Sequence, residues 1–137
     1  MAIPSIYPPL VVQIGNLANS LVTGREFLVW ENNTGVTWRV TAARKSVAAT
    51  APGTDLFWTI RLRGSDGADI CTSTTAATSI ASSPVDFGAI TAAYQDVADG
   101  EALYVRTDHA ASSGGGAGQA LVGLAVQVDL LPILPDA

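Results

Sequence analysis

The chain has 137 residues, 48% hydrophobic and only 14% charged, with 13 glycines, 7 prolines and one cysteine. That length suits one domain with a single core, and a charged fraction well below the roughly 25% usual for globular chains argues against disorder. Twelve acidic against seven basic residues leave a net charge of −5, and an acidic chain with no basic, aromatic-interleaved stripe is a poor partner for nucleic acid.

The most apolar stretch, residues 120–134, is broken by Gln127, Asp129 and Pro132. It falls short of the ~20 apolar residues of a spanning helix, so no membrane is expected as a partner. No basic residue precedes the apolar N-terminal patch and prolines sit inside it, so no secretory leader is expected. Cys71 stands alone, which leaves no internal disulfide and no multi-cysteine zinc site. A mean hydropathy of +0.32 nevertheless requires somewhere to hide apolar surface. Interface cores are depleted of charge, so the composition predicts a homo-oligomer or larger assembly.

In chain order, residues 1–9 hold Pro4, Pro8 and Pro9 together with Ile3, Ile6 and Tyr7. Three prolines block a helix and a central strand alike, so this segment is predicted to be an extended arm whose Ile3, Ile6 and Tyr7 lie on its own domain or a neighbour. Residues 10–131 are assigned to the folded domain and 132–137 to a short tail. Residues 10–14 and 27–30 are apolar runs, the second closed by the turn residues 31–35. Val36, Trp38, Val40 and Ala42 then alternate with Thr37, Arg39 and Thr41, as do Leu56, Trp58, Ile60 and Leu62 with Phe57, Thr59, Arg61 and Arg63. This period of two marks strands with one face buried. Asp66-Gly67 signals a tight turn and an antiparallel return over residues 68–74. Residues 91–97 permit one helical turn before Asp99-Gly100. Leu103 and Val105 mark another strand, the glycine run 114–118 a loop, and Val122, Leu124, Val126, Val128 and Leu130 one face of a long final strand, with small Gly123 and Ala125 on the other. About eight strands and no amphipathic helix predict an all-β, antiparallel two-sheet β-sandwich of jelly-roll-like form.

Candidate chemistry is sparse. His109, the only histidine, follows Asp108; neighbours in a strand point to opposite faces, so the two do not make a triad. Cys71 has no histidine near it in sequence and reads as a small buried apolar residue. Asp66 with Asp69, and Asp96 with Asp99, flank turns. Neither pair supplies the ligand count of a calcium loop, and aspartates in turns more simply bind nearby amides. The glycine loop lacks the lysine and hydroxyl of a phosphate cradle. Asn32-Asn33-Thr34 fits the glycosylation pattern, a match of little weight without a secretory leader. No catalytic set, metal or cofactor is therefore expected. Trp38 and Trp58 lie in phase with aliphatic neighbours and read as core, while Trp30 is the one tryptophan whose face is undecided and is a candidate contact residue. If the strand from Val36 pairs with that from Leu56, then Arg39, Arg61 and Arg63 share one outward face. Such a patch is either a dock for an acidic partner or a solvated face with local ion pairs.

One resemblance adds to this reading. The run Trp38-Arg-Val-Thr-Ala-Ala-Arg44, the loop with Gly53-Thr-Asp55, residues 56–63, the run Val97-Ala-Asp-Gly-Glu-Ala-Leu-Tyr-Val105, the glycine loop and the apolar last strand together resemble small β-sandwich proteins of tailed-bacteriophage virions, of the head decoration, cement or head-fibre type. The resemblance spans roughly residues 25–130. It implies a non-enzymatic capsid decoration protein on the outer surface of the virion, a homotrimer whose partners are its own copies and the major capsid protein or another virion protein. A carbohydrate- or receptor-binding module of a fibre or tail, using Trp30, is the alternative.

Overall fold

A computed structural model describes residues 9–17, 25–46, 49–50, 56–75, 85–111 and 121–134. The expected contact residues Ile3, Ile6 and Tyr7 lie outside this set, as do the glycine loop and the side chains of Trp58 and His109. The described strands are β1 (Leu10–Leu17), β2 (Arg25–Glu31), β3 (Thr37–Ser46), β4 (Ala49–Thr50), β5 (Leu56–Gly64), β6 (Asp69–Thr75), β7 (Val85–Asp86), β8 (Asp96–Val97), β9 (Ala102–Ala111) and β10 (Leu121–Ile133), with one 3-10 turn at Ala92–Tyr94. They form two antiparallel sheets. The first runs β1-β10-β3-β7, with β4 on β10 and β8 on β3, and the second runs β2-β9-β5-β6. Successive long strands mostly alternate between the sheets, which is the winding of a jelly roll. The expected all-β two-sheet sandwich is the fold, and β10 extends to Ile133, two residues past the expected end of the domain.

Local chemistry explains the connections. The β5–β6 hairpin turns through Gly67 at φ +78°, a conformation that glycine adopts without a Cβ clash. The Asp66 carboxylate accepts the Ala68 amide at 3.0 Å, the amide-binding role expected of a turn aspartate. Inside, Leu124, Val126 and Val128 of β10 meet Val40 of β3 and Ile60, Leu62, Leu103 and Val105 of the opposite sheet, all fully buried. The alternation expected for β5, β9 and β10 is thus present where their side chains are described.

β3 departs from expectation. Its alternation holds to Val40, which is buried, but the next buried positions are Ala43 and Lys45 rather than Ala42. Leu130 pairs with Val40 and Asp129 with Ala42, so Thr41 has no opposite residue. One inserted residue flips every later side chain to the other face. Trp38, expected in the core, is only half-buried at the strand's beginning.

The flip carries the chain's only lysine inside. Lys45 is 6% exposed and donates to Ser73 Oγ on β6. Burial lowers its pKa from the ordinary lysine value, because an ammonium loses its water there. The unfolded chain therefore binds this proton more tightly. Lys45 weakens the fold while it is charged, and that cost fades as pH rises towards the ordinary lysine value. Replacing both partners removes charge and orphan together, so Lys45→Met with Ser73→Ala is expected to gain about 1–2 kcal/mol in urea unfolding at pH 7, with a smaller gain at alkaline pH. Ser73→Ala alone strands the ammonium and is expected to lose about 1–3 kcal/mol.

Candidate interaction surface

The two outer faces of the sandwich differ in kind. On the β2-β9-β5-β6 sheet, Arg61 stands directly opposite Arg106, and like charges so placed repel. The Asp108 carboxylate bridges them, accepting from Arg61 Nη1 and, at 3.2 Å, from Arg106 Nε. Glu26, opposite Arg106 on β2, lies 3.5 Å from Arg63 Nη1 and 3.9 Å from Arg106 Nη1. Asp69 accepts Arg63 Nε at 2.6 Å and lies 3.4 Å from Arg61 Nε. The bond to Asp69 raises the pKa of Arg63. Three guanidinium groups and three carboxylates thus cross all four strands with their charges balanced.

The face of the other sheet mixes apolar, small and ion-paired side chains. Val11 and Gln13 of β1, Thr41, Ala42, Arg44 and Ser46 of β3, and Ala125, Gln127, Asp129, Leu131 and Ile133 of β10 occupy the positions out of phase with the buried ones. Val11, Leu131, Ile133 and the adjacent Leu134 are exposed large apolar side chains. The charges of this face are paired: Arg39 with Asp96 at 2.8 Å, and Arg44 with Asp86 at 3.0 Å and, across to β10, Asp129 at 3.8 Å. An open groove of about 520 Å³ runs past Val36, Thr37, Arg39, Ile133 and Leu134.

This arrangement corrects the proposed arginine patch. β3 and β5 belong to different sheets, so Arg39 lies on one outer face and Arg61 and Arg63 on the opposite one. Each has a carboxylate partner, and local ion pairs take the place of a common patch. Trp30 packs against the core, with its ring edge-on to Trp38 at a centroid distance of 6.1 Å and 82° between planes.

Asn32 closes the end of the sandwich beside these rings. It is fully buried, and its side-chain amide donates to the carbonyls of Val36 at 2.8 Å and Val97 at 2.9 Å. Its Oδ1 accepts the Thr34 amide at 3.1 Å and the Thr34 hydroxyl at 2.7 Å, and that hydroxyl accepts the Trp38 indole N–H at 2.8 Å. Its backbone N–H donates to Glu101 and its carbonyl accepts from Gly100. An asparagine was legible here only as a glycosylation match; instead both hydrogens of its amide are spent inside the protein. Asp99, from one of the aspartate pairs, accepts the Gly35 amide at 2.9 Å across the same junction. Cys71 is buried, and burial first, then Asp69, pushes its thiol up to about 12, far from the thiolate that nucleophilic work requires.

Comparison with protein-family models, curated proteins and solved structures gave no match.

Two substitutions test these structural assignments. Asp108→Asn leaves Arg61 facing Arg106 across the sheet; a loss of about 1 kcal/mol is expected in low-salt urea unfolding, smaller in 1 M salt where the repulsion is screened. Asn32→Ala strands the Val36 and Val97 carbonyls and the Thr34 donors; a loss of about 3 kcal/mol is expected by thermal or chemical unfolding.

Proposed function

We propose that this chain is a non-enzymatic structural protein that docks on a phage head as a homo-oligomer, a trimer being favoured, with the outer face of its β1-β10-β3-β7 sheet turned to its own copies. The observation that carries the reading is the contrast between the two faces. One has six charged groups tied to each other and one exposed leucine, Leu28, and the other exposes Val11, Leu131, Ile133 and the adjacent Leu134, with its charged groups Arg39, Arg44, Asp86, Asp96 and Asp129 already ion-paired. Exposed apolar side chains whose neighbouring charges are satisfied within the chain suit an interface between copies. A standard interface hides about 800 Å² per partner, and many copies on a shell add avidity to modest single contacts.

The chemistry-bearing groups support a mechanical role. Cys71 is sealed in the core, and Asp66, Asp69, Asp96, Asp99 and Asp108 are engaged by arginines or turn amides. A sugar-binding fibre module is less well supported, because the Trp30 ring rests on the core and on Trp38. The virion setting itself rests on the sequence resemblance.

The expected outcome in sedimentation or light scattering is a particle of several times 14.1 kDa that is retained on phage heads. Ala125→Arg, on β10 between Gln13 and Ser46, is expected to reduce it to single chains while far-ultraviolet circular dichroism stays unchanged. A wild-type chain that runs at 14.1 kDa at every concentration, without affinity for heads, overturns the proposal.

A further inference from the structure

Aspartate is followed by glycine at two places in the chain, Asp66-Gly67 and Asp99-Gly100. All four residues are exposed. Such a pair converts itself without a reagent. The glycine backbone nitrogen attacks Cγ of the aspartic acid and a C–N bond forms. The amide hydrogen and the carboxyl hydroxyl leave as water, and a five-membered cyclic imide remains. Water then reopens the ring at either carbonyl. One opening restores aspartate, and the other leaves an isoaspartyl residue, whose main chain runs through Cγ and is longer by one atom at unchanged mass. Glycine permits the attack because no Cβ shields its nitrogen.

The attack is blocked while the glycine N–H is donating and the carboxylate is held, so each site has to open first. The two are held in different ways. At the β5–β6 tip, the Gly67 N–H donates to the Gly64 carbonyl at 3.0 Å and the Asp66 carboxylate accepts the Ala68 amide at 3.0 Å. The Gly64 N–H closes the tip on the Ala68 carbonyl at 3.2 Å. All of these bonds lie within residues 64–68, so fraying of the tip frees both reacting groups while the paired strands behind it stay formed.

At the second pair, the Gly100 N–H donates at 2.7 Å to the carbonyl of Asn32, and Asp99 Oδ1 accepts the Gly35 amide at 2.9 Å. Both partners are more than sixty residues away in sequence. Asn32 is fully buried, and its side chain is itself bonded to Val36, Val97 and Thr34. Freeing the Gly100 nitrogen therefore means taking apart the closed end of the sandwich. Opening costs little at a loop tip and approaches the full stability of the fold where the structure is buried. We infer that Asp66 is a site of spontaneous isoaspartate formation in the folded protein, whereas the same dipeptide at Asp99 is protected by its bonds to Asn32 and Gly35. This does not rest on the oligomer proposed above.

Ageing of the full chain tests the assignment. Folded protein is kept for weeks in warm, mildly acid buffer beside a portion unfolded in guanidinium chloride. Isoaspartate is then located by electron-transfer fragmentation of the peptides. The unfolded portion is expected to convert at both pairs. In the folded portion, conversion at Asp66 is expected to exceed that at Asp99 by about tenfold or more after each is divided by its rate in the unfolded portion, and Asp66→Ser is expected to remove the folded-state signal. Equal normalised conversion at the two pairs, or more at Asp99, overturns the inference. So does a folded chain with no conversion at Asp66 over a time in which the unfolded chain converts at both.

Discussion

The dry column of β10 is the constraint on which the rest of the molecule is built. Leu124, Val126 and Val128 are each fully buried, and each contributes about 1.5–3 kcal/mol only if a second sheet covers it. β9 and β5 supply that cover with Leu103, Val105, Ile60 and Leu62. β10 also holds β1 and β3 on its two sides, so the first, third and last long strands are tied through one element. Contacts this distant in sequence must all form together, and the jelly-roll winding follows from having to pair the last strand with the first.

Much of this was legible in residues and some of it was not. Alternation revealed β5, β9 and β10, and the Asp66-Gly67 pair revealed the β5–β6 return, because these signals are local. The error at β3 has a definite origin: nothing in Thr41-Ala42 announces that one residue will be left unopposed, since a bulge is set by the partner strand. From that single residue follow the inward turn of Lys45 and the loss of Ala42 from the core. The arginine patch failed for a related reason. It depended on β3 lying beside β5, and sheet membership is decided by long-range pairing that periodicity does not report. Asn32 was visible only as a modification match, because its role needs Val97 and Glu101, more than sixty residues away.

The two outer faces divide the work of the surface. On one, close arginines are tolerated because carboxylates stand between them, so the charges link all four strands. On the other, β3 and β10 present small and apolar side chains among charges that are paired with one another.

Hiding the sole lysine has an outcome for the chemistry of the exterior. Every basic side chain on the described surface is an arginine, whose charge does not titrate in any ordinary buffer. The folded body thus offers no lysine amine to acylating, methylating or aldehyde reagents, and its positive charge cannot be erased by the modifications that silence lysine-rich surfaces.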